Sequence, residues 1–141
     1  MKFALDQFLP YRLSVLAGRV SREFADSYQP RFGLSIAEWR VLAHLSQSGS
    51  VSVRDIHRRA DLEKSKASRA AARLEAAGLI RKSADPSDRR LVALTLTAKG
   101  REAMEELIPL GRAYEATLLA RLSPEDRAAL DRILTRLIGP I

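Results

Sequence analysis

Apolar residues recur along the first part of the chain at spacings of three and four. Leu13, Leu16, Ala17, Val20, Phe24 and Tyr28 form one stripe, which predicts a long helix from Pro10 to about Tyr28. Arg12, Arg19, Arg22, Glu23 and Asp26 fall largely off that stripe, and Pro30 with Gly33 reads as the break that ends the helix. Ser35 with Glu38 three residues on is a capping-box pattern. It predicts a second helix carrying Trp39, Leu42 and Leu45 inward, as far as the Ser46-Gln47-Ser48-Gly49-Ser50 turn. Ser52 and Asp55 open a short third helix whose apolar side is Val53, Ile56 and Ala60, and Asp61-Leu62 makes the next turn. A fourth helix, from about Glu63 to Ala77, buries a side rich in alanine around Leu74, and Gly78 suits the position just past its end.

The periodicity then changes from helical to alternating. Leu79-Ile80-Arg81-Lys82-Ser83 predicts one strand, and Leu91, Ala93 and Thr95 alternate with Val92, Leu94 and Leu96 in a second. Between them, Asp85-Pro86-Ser87-Asp88 carries turn chemistry and leads into Arg89 and Arg90, so the segment reads as a β-hairpin with two arginines near its tip. Thr97-Ala98-Lys99-Gly100 opens a long helical stretch through Met104, Leu107, Tyr114 and Leu118, with an interruption and kink expected at Pro109 and Gly111. Ser123-Pro124-Glu125-Asp126 is a strong restart for a last helix bearing Leu130, Ile133, Leu134 and Leu137. The early helix and the two late ones carry more apolar stripe than a compact central module needs. A second copy of the chain is the economical partner for the surplus.

Composition narrows the chemistry. The 141 residues suit one domain and one core, and 46% hydrophobic content is ordinary for a soluble globular protein. Of the net charge of +7, residues 52 to 90 hold +5, from eleven Lys/Arg against six Asp/Glu. That concentration implies a polyanionic partner. There is no cysteine, which excludes disulfides and thiolate metal sites, and His44 and His57 are not at a metal-binding spacing. No cofactor or metal is expected. No apolar run is long enough to span a bilayer and no signal-peptide pattern opens the chain, so the expected location is cytoplasmic. A glycine-rich phosphate loop, a nucleophile with a paired base and a clustered carboxylate set are all missing, which argues against an enzyme. Membrane-surface binding is disfavoured because the basic residues oppose an alanine-rich stripe rather than bulky apolar side chains.

A basic helix preceding an arginine-tipped hairpin is the layout of a winged helix-turn-helix. Ser65, Lys66, Ser68, Arg69 and Arg73 lie on one side of the fourth helix and suit a major groove, where arginine bonds guanine and serine or lysine hold phosphate. Arg89 and Arg90 suit a minor groove, with Asp88 positioned to accept from a guanidinium and hold its pose. Ser52 is placed to cap its helix and to bond a phosphate.

These residues resemble the MarR family of bacterial transcriptional regulators. The resemblance rests on the order of elements, on Trp39-Arg40-Val41-Leu42, Ser65-Lys66-Ala67-Ser68-Arg69 and Leu74-Glu75-Ala76-Ala77-Gly78-Leu79-Ile80, and above all on Asp85-Pro86-Ser87-Asp88-Arg89-Arg90 followed by Leu96-Thr97-Ala98-Lys99-Gly100. It implies a mainly α fold with a small β-hairpin wing, in which residues 1–30 and 98–141 supply dimerisation helices and 31–97 a winged-helix DNA-binding lobe. It further implies a homodimeric repressor on a pseudo-palindromic operator in double-stranded DNA, with Asp88 and Arg90 as the wing's Asp-x-Arg pair. Release by a small anionic or phenolic ligand, bound between the dimerisation helices and the lobe, is also implied. Arg12, Trp39, Arg40, His44 and His57 are the ligand candidates near that junction. Without cysteine, peroxide sensing of the thiol kind is not available. The competing reading is an effector-independent architectural or constitutive DNA-binding protein.

Overall fold

The computed structural model describes residues 2–85, 87, 88 and 90–140. Its elements are a short 3-10 turn at Leu5–Gln7, then α1 (Leu9–Phe32), α2 (Ile36–Ser48), β1 (Ser50–Ser52), α3 (Val53–Arg59), α4 (Lys64–Ala76), β2 (Ile80–Ala84), β3 (Val92–Leu96), α5 (Ala98–Leu119) and α6 (Pro124–Ile138). The predicted start signals operate as cap hydrogen bonds. Ser35, Ser52 and Ser123 each accept from the backbone N–H three residues on, and Glu38 returns to the Ser35 N–H at 2.9 Å to complete the capping box.

Three expectations are corrected. The wing is more than a hairpin: β1 adds a third antiparallel strand in the order β1-β3-β2, pairing Val51 with Leu94, while β2 pairs Lys82 with Leu94 from the other side. A three-residue strand offers no period to read, and its existence depends on β3 being there to pair with. Pro30 does not break α1, which runs to Phe32 and ends at Gly33, whose φ of 65° is left-handed. So near the helix end, the proline's missing N–H costs one hydrogen bond and leaves the final turn intact. Nor is α5 interrupted at Pro109 and Gly111, since it packs along α1 across that region.

The core lies where α2, α3 and α4 meet the sheet and the inner turns of α1 and α5. Tyr28, Leu42, Leu45, Ile56, Leu74, Ile80, Leu94 and Leu107 are fully enclosed. Along α1 the stripe divides: Ala25 and Tyr28 are buried, whereas Leu9, Leu13 and Leu16 are exposed. No residue of α6 is buried among those described.

The end of α4 is tied to the start of α5. A Schellman pair closes α4, with Leu79 N–H donating to Leu74 O and Gly78 N–H to Glu75 O, both at 2.9 Å. Gly78 takes the required left-handed φ of 76°. The carbonyls of Ala77, Gly78 and Leu79 are all taken by the cap and first turn of α5. Lys99 Nζ donates to Ala77 O at 2.8 Å, Thr97 Oγ1 to Gly78 O at 2.6 Å and Thr97 N–H to Leu79 O at 3.1 Å. Gly100 then lies directly on the Leu79 carbonyl, so close that a Cβ built there stands 2.0 Å from the oxygen. Leu96-Thr97-Ala98-Lys99-Gly100 is therefore a joint, through which α4 is carried by α5.

Candidate nucleic-acid interface

Helix α4 divides by polarity. Ala67, Ala70, Ala71 and Leu74 are buried, and their small side chains bring the helix close to α2 and α3. Ser65, Lys66, Ser68, Arg69 and Arg73 are all exposed. They line two grooves rather than one stripe. Ser65 and Ser68 face a groove of about 790 Å³ bounded by α3 and the wing, joined there by Arg54, His57, Lys64 and Lys82. Lys66, Arg69 and Arg73 face a smaller groove of about 290 Å³ beside Ser35 and Glu38 at the start of α2. Helical geometry explains the split, since at 100° per residue Lys64 and Ser68 stand roughly 40° apart and Lys66 and Arg73 roughly 20° apart.

Arg54, Lys64 and Lys82 are cations that the reading of α4 and the hairpin missed. Lys64 had a signal in its helical spacing to Ser68. Arg54 and Lys82 reach the groove only because α3 and β2 flank α4 in space.

The wing tip is organised by two carboxylates. Asp85 Oδ1 accepts from Ser87 N–H at 2.8 Å, Ser87 Oγ at 2.6 Å and Asp88 N–H at 3.2 Å, which closes the turn. Those Ser87 bonds, the side chain's first, hold the Asp85 carboxyl below its ordinary value. Asp88 takes Arg90 in a fork, accepting Nε on Oδ1 and Nη2 on Oδ2, each at 3.2 Å, with Arg90 N–H at 3.0 Å. The Arg90 side chain remains 89% exposed while so held. A fixed, projecting guanidinium is what insertion into a groove needs, because less rotamer freedom is lost on binding. Arg89 and Pro86 lie outside the described residues.

Hydrogen bonding from Arg90 is also the main cause that lowers the Asp88 carboxyl from its ordinary value of 3.8, with Arg54 adding a smaller attraction. A carboxylate whose folded value is depressed contributes order above its ordinary value and loses it as pH falls through the depressed one. The Arg90 Nε–H resonance is therefore expected to stay in its paired position until the pH is below 3.8. Release at a higher pH would contradict the fork.

Ser52 is buried, and its Oγ accepts from Asp55 N–H at 3.1 Å, so its hydroxyl is engaged in the cap.

Among the described residues the five ligand candidates lie in different places. Arg12 is exposed on the first half of α1. Trp39 packs edge-on to Phe24 at 5.1 Å between centroids and beside Tyr28 at 5.9 Å. Arg40 donates to Asp61 O at 3.1 Å, bracing the α3–α4 turn where Asp61 adopts a φ of 53°. His44 lies in a different groove beside Arg58 and Arg59, where burial, then Arg59, lowers its pKa. His57 sits in the α3–α4–wing groove. Next to Trp39, the fully buried Tyr28 hydroxyl has no hydrogen-bond partner among the described residues, and burial pushes its pKa up to about 12 despite Arg40.

Comparison with known proteins agrees with this arrangement. The model of the MarR family matches residues 32–91, which span α2 to the wing tip. The HTH-type transcriptional repressor Rv2887 of Mycobacterium tuberculosis is 31% identical over 137 residues, covering 97% of this chain and 98% of the relative. The HTH-type transcriptional repressor MdtR of Bacillus subtilis is 30% identical over 125 residues, covering 89% of this chain and 80% of the relative. Among solved structures, Bordetella bronchiseptica BpsR, described as a protein whose DNA binding is regulated by 6-hydroxynicotinic acid, superposes with a TM-score of 0.84 at 25% identity over all of both chains. A MarR-family regulator from Silicibacter pomeroyi superposes with a TM-score of 0.82 at 27% identity, covering 95% of this chain and 89% of that one. With a winged helix-turn-helix, a cationic groove and relatives similar over nearly their whole length, the chain belongs to the MarR family of DNA-binding transcriptional regulators, not enzymes.

Proposed function

We propose that this regulator is a homodimeric repressor that grips a pseudo-palindromic operator with two copies of α4 and two wings. In this reading Ser65, Ser68 and Arg69 contact base edges, Lys66 and Arg73 hold phosphates, and Arg90 enters the flanking minor groove. Arg54, Lys64 and Lys82 add phosphate contacts, and Ser52 acts through its cap. The observation that carries the reading is the exposed Arg90 guanidinium held in a fork by Asp88 beside a cationic groove. Its place of action is the cytoplasm, with the chromosome; among the described residues no helix is long and apolar enough to cross a membrane.

The dimer reading rests on exposed apolar area at both ends of the chain. Phe3, Phe8, Leu9, Leu13 and Leu16 are exposed near the start, and Ile133, Leu134, Leu137 and Ile138 near the end. Surfaces of that kind mark an interface. Residues 1–30 and 98–141 are accordingly assigned to dimerisation and 31–97 to the DNA-binding lobe. Removing residues 124–141 is expected to abolish the dimer, read by sedimentation; a truncated chain that still sediments as a single dimeric species contradicts the assignment.

The proposed release by a small anionic or phenolic ligand draws support from BpsR, whose DNA binding 6-hydroxynicotinic acid regulates. The testing experiment selects bound fragments from genomic DNA and titrates the best one by anisotropy at two salt concentrations. Saturable binding to a pseudo-palindrome is expected, with half-sites about one helical turn apart and a log-log salt slope of about −0.9 for each phosphate neutralised. Equal affinity for all fragments would instead favour the architectural reading.

A further inference from the structure

The groove between α3, α4 and the wing has a floor that phosphate recognition leaves unexplained. Arg54, Lys64, Lys82 and Arg90 bring cations to it, but Val53, Leu91 and Val92 line the space between them. Val53 and Leu91 are half-buried. Val92 is 45% exposed, although it lies on the face of β3 that carries the buried Leu94 and Leu96. The apolar face of the strand thus runs past the core and emerges in the groove. Pairing with Ala84 holds Val92 there. The wing turn holds Leu91, whose N–H donates to Asp88 O and whose O accepts from Asp85 N–H, each at 3.0 Å.

An aliphatic floor between cations suits a chain in which phosphates alternate with apolar sugar edges. With α4 in the major groove and Arg90 in the flanking minor groove, the sugar-phosphate strand that separates those two grooves crosses the space between α4 and the wing. The 2′ position of its sugars opens on the minor-groove side, which is the wing's side. It therefore meets Leu91 and Val92, whereas the hydroxyls of Ser65 and Ser68 stand on the α4 wall opposite. A ribose in that place would press its 2′-hydroxyl against aliphatic side chains. A hydroxyl that loses water and gains no partner costs more than the contact returns.

We propose that Val53, Leu91 and Val92 form a seat for deoxyribose, and that Val92 makes the groove selective for DNA over RNA. The proposal rests on the operator reading and extends it from bases and phosphates to the sugar. Long-range attraction does not make this distinction. A net charge of +7 draws in RNA as readily as DNA, because both present phosphates. Contact at the 2′ position does make it, since that is where the two sugars differ. The seat thus keeps a cationic groove from being occupied by the wrong polyanion.

The test is anisotropy titration of the full chain with the selected operator, in which single nucleotides are replaced in turn by their ribonucleotides. Affinity is expected to fall about tenfold at one or two nucleotides of each half-site, on the strand between the bases read by α4 and the minor groove entered by Arg90. Elsewhere the replacement is expected to be tolerated. A 2′-fluoro nucleotide at the sensitive position keeps a ribose-like pucker without the hydroxyl, and is expected to bind within about threefold of deoxyribose. Val92→Thr keeps the branched shape and offers the ribose a hydroxyl, so the ribonucleotide penalty is expected to shrink to about threefold or less. That penalty is a ratio measured within one protein, so a general change in affinity does not alter it. A penalty that Val92→Thr leaves intact overturns the role of Val92. Ribonucleotides tolerated at every position, or an equal loss from the 2′-fluoro nucleotide, overturn the seat and leave the operator reading standing. Equal affinity for all fragments, read on all-DNA duplexes beforehand, overturns the operator reading itself.

Discussion

Gly100→Ala is expected to lower the melting temperature by about 10 °C, corresponding to about 3 kcal/mol for overpacking in a chain of this size. The added methyl group would stand 2.0 Å from the Leu79 carbonyl oxygen. Relief requires moving α5 off the end of α4, and that movement also stretches the bonds from Thr97 and Lys99 to the Gly78 and Ala77 carbonyls. Operator affinity should fall with stability, because α4 loses the support that aims it. Gly111→Ala is the control: its methyl meets the Phe24 ring at 3.5 Å, an ordinary contact, and alanine favours the helix. Melting at a fixed protein concentration measures both variants, since the proposed dimer would make the midpoint concentration-dependent. A Gly100→Ala protein that melts with the parent would show that the joint yields easily and does not hold α4.

Arg90→Ala is expected to do the opposite, leaving the melting temperature unchanged and weakening operator binding about 100-fold, since in the proposed dimer two wings would each lose about 1–3 kcal/mol. Stability should be indifferent because the side chain is 89% exposed and, among the described residues, is bonded only within its own turn. Asp88→Asn separates charge from pose: it keeps the guanidinium but weakens the fork, so its loss should be smaller and should come from a freer arginine. Anisotropy titration with the selected operator measures both. An Arg90→Ala affinity within about threefold of the parent would remove the wing from the interface, where groove contacts should cost far more.

Local chemistry made the helix starts legible. Ser35, Ser52 and Ser123 cap helices through hydrogen bonds only three residues long, and such bonds can be read from spacing alone. Gly78 and the hydrogen bonds of Asp85 with Ser87 and Asp88 were legible for the same reason. The alternating run from Leu91 to Leu96 announced a strand, but its central place in the sheet depended on Ser50–Ser52, whose partner is more than 40 residues away. Pro30 and Pro109 misled because a proline's cost is local, whereas the packing that keeps each helix continuous is not.

The surface proposed to face DNA was partly legible. Ser65 with Ser68, and Lys66 with Arg69 and Arg73, group on helix faces by periodicity alone, and the Asp88–Arg90 pair is adjacent enough to form without the rest of the fold. Arg54 and Lys82 joined them only through the packing of α3 and β2 around α4.

By itself, then, the order of residues determined the succession of helices, most of their caps, the wing turn and its presented arginine, all through interactions within a few positions. Tertiary structure alone decided the third strand, the walls that make two grooves beside α4, the separation of Arg12, Trp39, Arg40, His44 and His57, and the joint at Gly100. Each of those depends on groups distant in sequence being brought together by burial of one shared core, and burial is satisfied by the whole chain at once.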